Sequence, residues 1–101
     1  MDEVKMKQLV ELVKAKLKIT WNEDETNSRI RDIVEAAIPT LNHKLGVAAF
    51  DYTKCSQERN LFFNYCMYEW WDRIDEFDRN YSGEMMQIRI KNEVAQYAKP
   101  E

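Results

Sequence analysis

The chain has 101 residues, 45% hydrophobic and 33% charged, with a formal net charge of -3 at pH 7. That length fits one domain, the hydrophobic share argues against a disordered tail, and the acidic balance leaves no general footprint for phosphate backbones. With only 2 Gly and 2 Pro, the chain lacks the turns that a sandwich or barrel of short strands needs, so the expected class is all-α.

In chain order, Met6, Leu9, Val10, Val13 and Leu17 recur at three- and four-residue steps and predict a first helix over Asp2 to Lys18. Asp2 and Glu3 at its start and Lys14, Lys16 and Lys18 at its end complement the helix dipole. Ile19, Thr20 and Trp21 break the pattern, and Asn22 or Asp24 is placed to cap a second helix. Its stripe runs Ile30, Ile33, Val34, Ala37, Ile38, Leu41 and Leu45, with Gly46 as the C-terminal cap. Pro39 inside that stripe removes an amide donor and crowds the carbonyl of Glu35, which predicts a kink or a break.

Val47 to Lys54 carries no helical stripe and reads as the longest loop, after which Ser56 offers a cap. A long central helix is expected from Ser56 to Arg79, apolar on nearly every side between Leu61 and Trp71 and solvated from Asp72 onward. Tyr81, Ser82 and Gly83 are expected to end it. Met86, Ile90, Val94 and Tyr97 then lie at helical spacing in a last segment whose Glu, Met, Gln, Lys and Ala favour a helix. The expected architecture is a small bundle of about four helices, with residues 1–83 as the core domain and 84–101 as a partner-binding segment. Its expected core is Ile30, Ile33, Val34, Ile38 and Leu41 with Leu61, Phe62, Tyr65, Cys66, Trp70 and Ile74.

Catalytic chemistry finds little support. His43 is the only histidine, neither Cys55 nor Cys66 is near it in sequence, and the cysteine spacing matches no zinc pattern. No cofactor is implied. The chain shows neither an apolar leader nor a run long enough to span a bilayer, and its mean hydropathy is -0.67, so free thiols in a reducing compartment and no membrane role are expected. Glu69, Asp72, Asp75 and Glu76 lack the Glu-x-x-His pairs of a di-metal bundle. Glu69 to Arg73 and Asp75 to Arg79 instead have helix-stabilising spacing, on the order of 0.3 kcal/mol per pair. Lys7, Lys14 and Lys18 could share one side of the first helix, which gives the alternative of a small DNA-binding regulator.

Three stretches carry a family likeness. They are Leu17-Lys18-Ile19-Thr20-Trp21 followed by Asn22-Glu23-Asp24-Glu25; Arg29 to Gly46 with Ala36-Ala37-Ile38 and Leu41-Asn42; and Leu61 to Tyr68 leading to Phe77 and Tyr81. In this order the chain resembles the small head-tail connector proteins of tailed bacteriophages, the QLRG-type DNA-packaging proteins among them. Gln87-Ile88-Arg89 is similar to the Gln-Leu-Arg of that label, with Ile88 for Leu and Ile90 for Gly. The resemblance implies a phage or prophage structural protein without an active site, assembled in the bacterial host cytoplasm and located in the virion at the head-tail interface. It would form a ring homo-oligomer beneath the portal protein, meet a tail-side connector or stopper protein, and continue a channel through which DNA passes without sequence-specific binding. By position, the resemblance puts the portal or subunit contact at Met86, Gln87, Arg89, Ile90, Val94 and Tyr97.

Overall fold

The computed structural model describes residues 3–97. Asp2, expected at the start of the first helix, lies outside them, as do residues 98–101 of the expected C-terminal segment. The fold is all-α, with α1 Glu3–Lys16, α2 Asp24–Leu45, α3 Gln57–Trp70 and α4 Ile74–Tyr97. The middle pair is α2 and α3, which pack on each other; α1 and α4 each pack against both. Met6, Leu9 and Val13 of α1 meet Ile30, Val34, Ala37, Leu41 and Leu45 of α2, Leu61, Phe62, Phe63, Tyr65 and Cys66 of α3, and Phe77, Met85 and Ile88 of α4 in one core. Each stripe is buried because a helical face of this width can only be covered by neighbouring helices.

Three of the four helices end in the same way. Past α1, the amide of Ile19 donates to the Lys14 carbonyl at 3.0 Å; past α2, Val47 donates to Asn42 at 2.9 Å; past α3, Arg73 donates to Tyr68 at 2.8 Å. In each case the residue before the donor is left-handed: Lys18 at φ 59, Gly46 at φ 70 and Asp72 at φ 58. This is the Schellman arrangement, which satisfies the last carbonyls of a helix and turns the chain sharply.

Asp72 therefore corrects the expected long helix from Ser56 to Arg79, which is two helices meeting at Trp71, Asp72 and Arg73. The helical spacing persists across the turn because both helices keep their apolar faces on the same core. Charges across the junction re-pair accordingly: Arg73 bonds Glu76 rather than Glu69. Gly83, expected to end a helix, lies inside α4, so the expected division between residues 83 and 84 falls mid-helix, with Met85 and Ile88 beyond it in the common core.

The start of α2 is also revised. Its N-cap is Glu23, in extended conformation and without a side-chain cap bond, rather than Asn22 or Asp24. Asn22 instead accepts from Asn27 at 2.6 Å, and the Glu23 carboxylate accepts from the Thr26 hydroxyl at 3.5 Å. Pro39 leaves α2 unbroken. Ser56 caps α3 as expected, accepting from the Arg59 amide at 3.0 Å. The loop between α2 and α3 holds Tyr52, fully buried, its ring stacked 4.6 Å from Phe62 and its hydroxyl donating to Asn42 Oδ1 at 2.8 Å.

Candidate interaction surface

One helix is apolar on two opposite faces. The inner face of α4 buries Phe77, Met85 and Ile88, while its outer face presents Met86, Ile90, Val94 and Tyr97 at exposures of 57%, 53%, 60% and 93%. At 3.6 residues per turn these two sets stand on opposite sides of the cylinder. An apolar helix face is ordinarily covered by a neighbour, and here only the bundle-side face is. Large side chains set along one line, rather than scattered singly, mark a contact surface.

The face is held in place by its neighbours. α4 supplies further donors to the carbonyls at the end of α2 and just past it: Arg89 to the His43 carbonyl, which also accepts from the Gly46 amide, at 3.1 Å, Asn92 to Leu45 at 2.8 Å, and Gln96 to Gly46 at 3.3 Å. Ion pairs add to this. Lys44 donates to Asp78 at 2.8 Å, and Lys91 stands 3.6 Å from the buried Glu58. The outer stripe therefore sits on an element tied to α2 and α3 by hydrogen bonds and ion pairs.

Of the six residues expected at the contact, Met86, Gln87, Ile90, Val94 and Tyr97 are exposed on α4. Arg89 is half-buried and turned toward α2, with its Nε on Glu93 at 3.0 Å. Among the eleven expected core residues, Ile30, Val34, Leu41, Leu61, Phe62, Tyr65 and Cys66 are buried. Ile33, Ile38, Trp70 and Ile74 are half-buried at the margin of the core. Trp70 stops there because Arg29 covers it, with the guanidinium 4.4 Å from the ring centre and donating to the Trp70 carbonyl at 2.9 Å.

The other candidates are dispersed. Lys14 is only 8% exposed, packed where α1 meets the bundle, so Lys7, Lys14 and Lys18 do not present one open basic face. His43 is exposed on the last turn of α2, Cys55 is exposed in the loop, and Cys66 is buried in α3. Burial, and secondarily the Glu69 carboxylate, pushes the Cys66 thiol far up, away from the thiolate that nucleophilic chemistry uses. Among the described residues, no group of three His, Cys, Asp or Glu is arranged to hold a metal ion, and no helix is long and apolar enough to cross a membrane.

Tyr52 is the position that sequence reasoning missed. Its stretch has no helical period, and the available signal was local: two aromatics, Phe50 and Tyr52, in a loop otherwise made of small and polar residues. Comparison with known proteins gives no matching family model, no matching curated protein and no matching solved structure.

Proposed function

We propose that the chain is a structural assembly subunit, a head-tail connector of a tailed bacteriophage or prophage. In this reading copies of it form a ring that joins the portal to tail-side proteins and continues the DNA channel. The observation that carries the reading is the outer face of α4. It is apolar and exposed, on a helix bonded to α2 and α3, and it contains Met86, Ile90, Val94 and Tyr97, which the sequence resemblance assigns by position to the portal or subunit contact. The four-helix fold and the net charge of -3 are in keeping with a channel wall that lets DNA pass without holding it.

The test is a pull-down of purified chain with its portal protein, followed by cryo-EM of the mixture. A ring of this chain beneath the portal is the expected result, with Val94→Asp weakening capture at least tenfold, the effect of placing a charge in an apolar contact. Capture that fails for the wild-type chain, or that is unchanged by Val94→Asp, overturns the reading.

A further inference from the structure

The outer face of α4 has the same spacing read in either direction. Around Ile90, Met86 and Val94 stand four residues away on the two sides, and Gly83 and Tyr97 stand seven away. At 3.6 residues per turn all five fall in one narrow band along the helix, opposite the face that holds Phe77, Met85 and Ile88. A second α4 laid antiparallel and centred on Ile90 meets this band in register: Ile90 faces Ile90, Met86 faces Val94, and Tyr97 faces Gly83.

The sizes are complementary as well as the spacing. The largest side chain of the band, Tyr97, falls opposite the one position without a side chain. A Cβ built on Gly83 would meet nothing within 4 Å, so the chain's own packing gives no reason for a glycine there. Inside a helix glycine is a weak choice, whereas against an incoming ring it provides a notch. Charge agrees on one edge. Arg89 and Glu93 lie along it with side chains 41% and 51% exposed, and the antiparallel register sets Arg89 beside the second copy's Glu93 and the reverse. On the other edge Gln87 comes beside the second copy's Lys91.

We propose that this face of α4 is a homodimer interface, covered by the same face of a second copy packed antiparallel about Ile90. Such an interface is isologous: one two-fold axis passes between the two Ile90 side chains, and every contact occurs twice. The proposal rests on the geometry of α4 and not on the connector reading. If both hold, the dimer covers the face that meets the portal, and docking requires it to separate.

Sedimentation equilibrium of the purified full chain, from micromolar to submillimolar concentration, provides the test. The expected mass is twice the 12.1 kDa of one chain. Ile90→Arg, which sets two like charges on the axis, is expected to return it to the mass of one chain. Gly83→Leu fills the notch and is expected to weaken pairing at least tenfold with no loss of thermal stability at a concentration where the dimer is dissociated, a combination that a folding defect cannot produce. In a Cys55→Ser background, Ile90→Cys is expected to oxidise to a covalent dimer much faster than Val4→Cys, placed on exposed α1. The mass of one chain at every concentration, a dimer that survives Ile90→Arg, or equal cross-linking at both positions overturns the proposal. None of these measurements contains a portal, so failure here leaves the outcome of the portal pull-down independent.

Discussion

Tyr52 shows how much one side chain in a loop can hold. Its ring lies between Phe50, at 5.0 Å, and Phe62, at 4.6 Å, and it fixes the loop against α2 and α3. Burial first, and the Glu58 carboxylate second, push its hydroxyl far up, so it remains a donor to Asn42. Tyr52→Ala is expected to cost about 3–5 kcal/mol in urea unfolding, the range for emptying a large aromatic site. Tyr52→Phe, which loses only the hydrogen bond, is expected to cost about 1 kcal/mol. Next to it, the Thr53 hydroxyl chiefly, and Lys5 at 2.9 Å after it, hold the Asp51 carboxyl well below the usual carboxylate range. A carboxyl lowered by folding stabilises the fold above its unfolded value of about 3.9 and loses that contribution as pH falls toward its folded value. Asp51→Asn is therefore expected to flatten the fall in stability below about pH 4, as followed by thermal unfolding against pH. Glu3 and Glu76, lowered by hydrogen bonds from Arg31 and Arg73, keep part of the acid sensitivity in the variant.

At the scale of elements, the two glycines have opposite meanings. Gly46 ends α2 at φ 70, and a Cβ there would come within 3.1 Å of Arg89 Cγ, the side chain that crosses over it to reach His43. Gly83 lies in the interior of α4 with open space around it. Gly46→Ala is expected to destabilise by about 1 kcal/mol, and Gly83→Ala to stabilise by a similar amount in the monomer, about 0.5–1 kcal/mol. Chemical denaturation of the two single variants, at a concentration where any dimer is dissociated, checks both signs. The same contrast explains why the break at Asp72 was hidden. A left-handed residue normally announces itself as glycine, but Lys18 and Asp72 take that conformation as ordinary side chains, at φ 59 and 58. Past Lys18 the pattern breaks at Ile19, Thr20 and Trp21, but nothing around Asp72 interrupts the apolar spacing, so there the local pattern reads as helix on both sides of the turn.

At the scale of the molecule, α4 carries two apolar faces, one buried and one exposed. Its Cα extents contribute to an elongated body of 48 × 31 × 19 Å with a radius of gyration of 14.3 Å, larger than the roughly 13 Å of a compact domain of about 100 residues. An elongated bundle gives each helix fewer neighbours and leaves one face of α4 outside. Because that face lies off the core, replacing Ile90 is expected to alter association and leave folding within about 0.5 kcal/mol of wild type, the usual range for surface substitutions. Parallel thermal unfolding of wild type and the Ile90→Arg variant, at a concentration where any dimer is dissociated, separates the two effects.

The sequence by itself determined the helical class, the apolar faces of α1 and α2, the loop after Gly46 and the cap at Ser56. Each follows from periodicity or from a residue whose backbone chemistry acts locally. It also marked Met86, Ile90, Val94 and Tyr97 as one stripe, because their spacing is a property of the helix alone. Only the tertiary structure decided that this stripe faces outward while Met85 and Ile88 face in, since α4 carries two apolar faces and the bundle can cover one. The burial of Tyr52 and Lys14 and the use of Arg89 on the end of α2 belong to the same class, since each depends on contacts with other elements that no local pattern encodes. The turn at Asp72 closes on its own local hydrogen bonds, but at a residue whose type does not announce a left-handed conformation.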